Sequence, residues 1–167
     1  MITPAYVRKM SQYSAWQNRS LYAAARTLSH DDRMVDRGAF FGSIHATLSH
    51  VLWGDQAWMR RFAQTPEPRG KTISEALTAY ATWDQLERDR FDFDAVIADW
   101  AETLQADWLE GDLTWVSAAE GQELTRPKWV LVTHMFNHQT HHRGQVHAML
   151  TAAGARPEKT DIPFMPQ

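Results

Sequence analysis

The chain contains no cysteine. Disulfides, cysteine-type zinc knuckles and thiolate nucleophiles are therefore all excluded, and any bound metal must be held by His, Asp or Glu. There is no run of the ~20 apolar residues that a membrane-spanning helix needs. The start of the chain, Met1 to Lys9, has no apolar core of the signal-peptide kind, so a cytoplasmic location is expected. Basic clusters of the sort that track phosphates are missing, and the net charge is -3. Neither nucleic acid nor a membrane is expected as a partner. No internal repeat or low-complexity tract appears. The Glu-x-x-His pairs that build di-iron sites in helical bundles occur nowhere in the chain, which disfavours that chemistry.

What remains is an ordinary composition. The 167 residues, 44% hydrophobic and 22% charged, fit one domain (1–167) able to bury a core without staples. Helical periodicity predicts a first helix over residues 4–28, with Thr3 as its cap and Pro4 in its first turn. Residues 29–32 read as a break and 38–42 as a loop. Ser43 is positioned to cap a second helix over 43–64. A Pro- and Gly-containing break follows at 65–71. Residues 74–82 suggest a short helix capped by Thr72 or Ser74, and residues 83–110 a third long one. Residues 113–117 and 121–125 suggest a small hairpin or an ordered loop. Pro127 opens a last helix that Gly154 ends, and a proline-rich tail folds back over the body. Four long amphipathic helices predict an all-α fold, a four-helix bundle.

Five of the eight histidines lie in His134-Met-Phe-Asn-His138-Gln-Thr-His141-His142-Arg-Gly-Gln-Val-His147. A helix turns about 100° per residue, so His134, His138 and His142 form one column, continued by Gln145 and Met149. That column is expected to face the interior, with His141 at its edge and His147 on the far side. A buried imidazole needs a partner for each ring nitrogen. A column of them is satisfied most directly by a divalent metal, and residues i and i+4 can converge on one ion. Spacing leaves open whether the pair is His134/His138 or His138/His142.

A third ligand must come from a facing helix. In the second helix His45 and His50 are five residues apart, so they diverge by roughly 140° and cannot hold one ion together. His50 has Ala46, Gly54 and Ala57 on its side and is the better candidate; His45 is expected to face solvent or a neighbouring chain. His30, His147 and Arg143 are expected at the surface. Asp55 points away from the His50 face, so it is not read as a base. Gln145 is placed to hydrogen-bond a ligand histidine, and Trp53 and Trp58 to line core or pocket. Three histidines suit Zn²⁺ or Ni²⁺ and leave positions open for a small ligand.

The segments His50-Val-Leu-Trp53-Gly-Asp-Gln-Ala-Trp58 and Phe136-Asn-His138-Gln-Thr-His141-His142-Arg143-Gly-Gln145-Val-His147 resemble the DinB (YfiT-like) family of metal-dependent proteins. Tyr13-Ser-Ala-Trp16-Gln-Asn18 is similar to the family's first-helix signature, and Thr160-Asp161 to its ending. The resemblance implies a four-helix bundle, often dimeric, with a metal-binding triad at His50, His138 and His142, which selects the second pair. It also implies a small-molecule substrate and the company of thiol-dependent S-transferases and a mycothiol-dependent isomerase. The alternatives are a metal-dependent hydrolase and a non-catalytic homodimeric bundle whose metal is structural.

Overall fold

Seven α-helices, a short 3-10 helix (Ile162–Phe164) and one two-stranded sheet make up the computed structural model, which describes residues 1–117 and 121–166. Four helices are long: α1 (Pro4–Arg26), α3 (Ile44–Ala63), α5 (Trp83–Thr103) and α7 (Lys128–Ala152). They form the all-α four-helix bundle expected. Three five-residue helices, α2 (His30–Met34), α4 (Ile73–Leu77) and α6 (Ala106–Glu110), sit in the connections. The hairpin is β1 (Asp112–Ser117) paired antiparallel with β2 (Gln122–Pro127). The link between its strands lies outside the described residues.

Caps fix where the helices begin. Thr3, Ser43, Thr72 and Thr82 each accept a hydrogen bond from the backbone N–H three residues on, satisfying a donor that the first turn cannot pair internally. Helix α7 ends in a left-handed Gly154 (φ +83°), with the Ala155 N–H donating to Leu150 O at 3.0 Å. This backward wrap of the last turn needs a residue without a Cβ penalty.

Three expectations about elements are corrected. Residues 29–32 are not simply a break: Ser29 caps α2, its hydroxyl accepting from Asp32 N. The short helix capped by Thr72 ends at Leu77. The helix expected over 83–110 stops at Thr103, where Leu104 turns extended (ψ 128°), and resumes as α6. The interruption lets Trp108 fold its edge onto Phe62 and Trp100, which stack on each other at 5.7 Å.

The core is split in two. One apolar cluster contains Leu21 and Tyr22 of α1, Leu48 and Leu52 of α3, Trp83 and Leu86 of α5, and Val146 and Leu150 of α7. The other contains Val7, Met59, Ile97 and Phe136 from the same four helices. The ends that share a cluster show that α1 and α7 run one way and α3 and α5 the other. Between the clusters lies a belt of buried polar residues: Ser14 and Asn18, Asp55, Arg90 and Asp94, Gln139 and Arg143. The tail straps α1 at the same side, with Tyr13 Oη donating to Thr160 O (2.8 Å) and Gln17 Nε2 to Lys159 O (2.9 Å). No helix among the described residues is long and apolar enough to cross a membrane.

Candidate metal centre

Helices α3 and α7 pack side by side, and Gly54 of α3 faces the His138 ring of α7. A Cβ there would fall 2.9 Å from His138 Cε1. The missing side chain lets the His138 ring lie against α3, beside His50 one turn earlier. One turn on in α7, His142 completes the group. Each of His50, His138 and His142 offers a ring nitrogen, and these nitrogens lie within 4.8 Å of one another. His50 Nε2 and His138 Nε2 are 3.0 Å apart. Two nitrogens held about 2.0–2.1 Å from a single ion sit roughly 2.9–3.4 Å apart at octahedral or tetrahedral angles, so this spacing suits a shared cation.

Electrostatics favour the ligand form. Burial pushes the His50 imidazole down to about 4, and His142 nearby pushes the same way. Burial, joined by the other rings, pushes His138 down to about 3. Burial also lowers His142, against a hydrogen bond to Gln145 that raises it. All three rings are thus neutral at pH 7, the state that binds a metal. His142 Nδ1 lies 2.8 Å from Gln145 Oε1. An amide oxygen only accepts, so Nδ1 carries the proton and Nε2 keeps its lone pair, as a ligand histidine requires. The Nδ1 atoms of His50 and His138 are buried without a hydrogen-bond partner. With the proton of each ring on Nδ1, the Nε2 lone pairs of His50 and His138 face each other at 3.0 Å, and a shared cation would take up both. The donor set, its neutrality and its spacing all fit a divalent ion.

Other expected residues are placed as follows. Gln145 does bond a histidine of the group. His134 is exposed, its ring 5.9 Å from His138 and edge-on to Trp58. His141 is exposed and within 3.3 Å of Gln145 Nε2. Neither joins the three-histidine group. His30 is exposed as expected, and Asp55 points away from the histidines, toward Arg90.

Three placements are corrected. His45 is not at the surface: it is 3% exposed, with Nε2 3.1 Å from Tyr80 O, because α4 and the segment after it fold over that face of α3. His147 is half-buried. Arg143 is 4% exposed and donates to Gln139 Oε1 at 3.3 Å. Burial pushes Arg143 down to about 10, still charged at neutral pH. The buried arc of α7 runs through Leu131, Met135, Gln139, His142, Arg143 and Val146. The histidine column lies at one edge of this arc, not along its centre.

Phe41 was not anticipated. A turn closed by the Gly42 N–H donating to Ala39 O (2.8 Å), with Gly42 at φ +74°, brings its ring 4.0 Å from His50 and 5.3 Å from His142. The Gly38–Gly42 spacing was the only signal for it. On the opposite side a cleft of about 540 Å³ opens onto His50 and His138, walled by Trp53, Trp58 and Trp115.

The whole sequence, residues 1–167, matches the DinB family. The chain belongs to the DinB family. A curated relative, Protein DinB of Bacillus subtilis (strain 168), is 28% identical over an alignment covering 92% of this chain and 89% of that one. Membership agrees with what the coordinates place together: a DinB-family bundle with a buried three-histidine group that could hold a metal ion.

Proposed function

We propose that His50, His138 and His142 bind one divalent cation, Zn²⁺ or Ni²⁺ by ligand preference, and that the protein is a metal-dependent enzyme of the thiol S-transferase kind. One observation carries the reading: three neutral imidazoles converge on one point, and two of them, His50 and His138, line a cleft large enough for a small molecule. With three ligands from the chain, coordination positions remain for a substrate facing that cleft.

A divalent ion in such a site supplies Lewis acidity, under which a coordinating thiol loses its proton near neutral pH. The chain's own contributions are separate. Burial keeps the imidazoles unprotonated, Gln145 fixes the His142 tautomer, and Phe41 and the cleft tryptophans exclude water. In the overall transfer, sulfur forms a bond to an electrophilic carbon of the second substrate. The bond to the leaving group breaks with its electron pair, and the thiol proton passes to solvent.

Hydrolysis ranks below transfer. No carboxylate lines the cleft among the described residues, and the nearby Asp55 is paired with Arg90, so no side chain stands ready as a general base. A panel of electrophiles and esters, assayed with and without a low-molecular-weight thiol, separates the readings. Turnover that requires thiol and is lost in His138→Ala is expected; thiol-independent ester cleavage would overturn the transferase assignment.

A further inference from the structure

The cleft beside the histidines carries a charge pattern that metal binding does not need. Its lining contains two cations, Arg61 and Lys71, and no Asp or Glu among the described residues. In a chain of net charge -3 this is a local excess of positive charge. Arg61 lies over the Trp58 indole at 5.0 Å and donates from Nη1 to Ala57 O at 2.7 Å. This bond curls its guanidinium back along α3. Neither cation has a carboxylate within ion-pair distance among the described residues. Glu67 is held by Arg60 at 2.7 Å, and the Glu75 carboxylate accepts from the Lys71 backbone N–H at 2.7 Å.

Geometry gives the cleft two ends. Gly54 and Ala57 form its floor on α3, with His50 and His138 at one end and Arg61 at the other. Arg61 lies seven residues along the helix from Gly54, a rise of roughly 10 Å. The walls between are the indoles of Trp58 and Trp115, in edge contact at 5.7 Å. The surface is therefore apolar in the middle, with Arg61 at one end and metal ligands at the other, while Lys71 lines the wall next to Gly70, whose carbonyl accepts from Trp53 Nε1 at 2.9 Å.

We infer that the cleft binds a small organic anion of roughly 10 Å, its carboxylate held by Arg61 and Lys71 and its apolar body laid along Trp58 and Trp115, with its far end at the histidines. This rests on the proposed function only for what happens at that far end; recognition of the anion needs no metal. A guanidinium with free N–H groups presents a planar fork that matches a carboxylate, and the half-buried indole beneath it raises the strength of the contact by limiting solvent. The substrate class assigned is thus a carboxylate-bearing small molecule rather than a neutral or cationic one.

The test uses the intact protein with 3-phenylpropionate as probe and 3-phenylpropionamide as its uncharged match, followed by tryptophan fluorescence and calorimetry, with metal content measured on the same samples. The carboxylate is expected to bind about tenfold more tightly than the amide. Arg61→Gln should remove that preference, weakening the acid far more than the amide. Lys71→Gln, at an exposed position where folding is not at risk, should weaken the carboxylate about threefold. Equal affinity for acid and amide, no binding of the acid up to about 10 mM, or a preference surviving both substitutions would overturn the inference. Low metal content with the acid preference intact would count against the triad reading alone; full metal content with no preference would count against the anion site alone.

Discussion

Two groups of polar side chains are buried at the same level of this bundle, and they are built oppositely. In the belt between the two apolar clusters, Arg90 Nη1 meets Asp55 Oδ2 at 2.6 Å and Arg90 Nη2 lies 2.8 Å from Asp94 Oδ1. Asn18 Nδ2 donates to Asp94 at 2.9 Å. Counting Arg143, two buried cations face two buried anions, so the charges balance inside the chain. Burial pushes the Arg90 guanidinium down, but the two carboxylates outweigh it and hold it up. At the edge of the belt, His50, His138 and His142 have no such complement. They are three groups of one kind, neutral, with lone pairs directed at one another. Burial of polar groups alone does not mark a binding site; like ligand groups converging on one point, with no opposite charge among them, do.

The contrast is broken most sharply by removing one member of each group. Asp55→Ala leaves Arg90 buried with half its counter-charge, and a loss of about 3–5 kcal/mol is expected in denaturant unfolding. His138→Ala removes a neutral, half-buried ring with no counter-charge in the chain, so metal-free protein should lose about 1 kcal/mol or less. Equal losses would mean that the histidines are a structural cluster like the arginine belt.

Gly54→Ala sharpens the comparison. The added Cβ meets only the far edge of the His138 ring, which can rotate away, while alanine favours the helix by up to ~1 kcal/mol. Folding stability should therefore change by less than about 1 kcal/mol, while metal affinity falls about tenfold because a ligand ring is displaced. A large drop in stability with affinity unchanged would show that the close approach serves packing alone.

His45 gives the smallest effect. Burial lowers its pKa from 6.5, against a hydrogen bond to Tyr80 O that raises it. Below pH 6.5 the unfolded chain takes up a proton that the folded one refuses. Its contribution is therefore complete above that pH and is lost as pH falls toward the depressed folded value. His45→Gln retains a donor for Tyr80 O and does not titrate, so stability measured from pH 7 to 5 should fall less steeply than in the wild type. An unchanged slope would assign the acid sensitivity to other imidazoles.

Much of this was legible in the sequence. The caps Thr3 and Ser43, the long amphipathic helices and the small residues around His50 signalled the bundle and one side of the centre. Periodicity could not choose between His134/His138 and His138/His142, because a column on a helix is defined only to within a fraction of a turn. The same uncertainty put Arg143 outside and His134 inside. Histidine and arginine sit on both sides of α7, so no polarity contrast marks its buried arc. The belt was missed because Asp55, Arg90 and Asp94 are ordinary surface types until α3 and α5 bring them together. Lys71 and Trp115 reach the cleft from a loop and a hairpin, whose placement over α3 is tertiary information.

Metal analysis of protein purified without an affinity tag tests most directly whether three imidazoles hold one ion. Wild-type protein should carry close to one equivalent of a divalent metal per chain, and His50→Ala, His138→Ala and His142→Ala should each abolish it while folding normally. Less than about half an equivalent in the wild type, unchanged by His138→Ala, would contradict it.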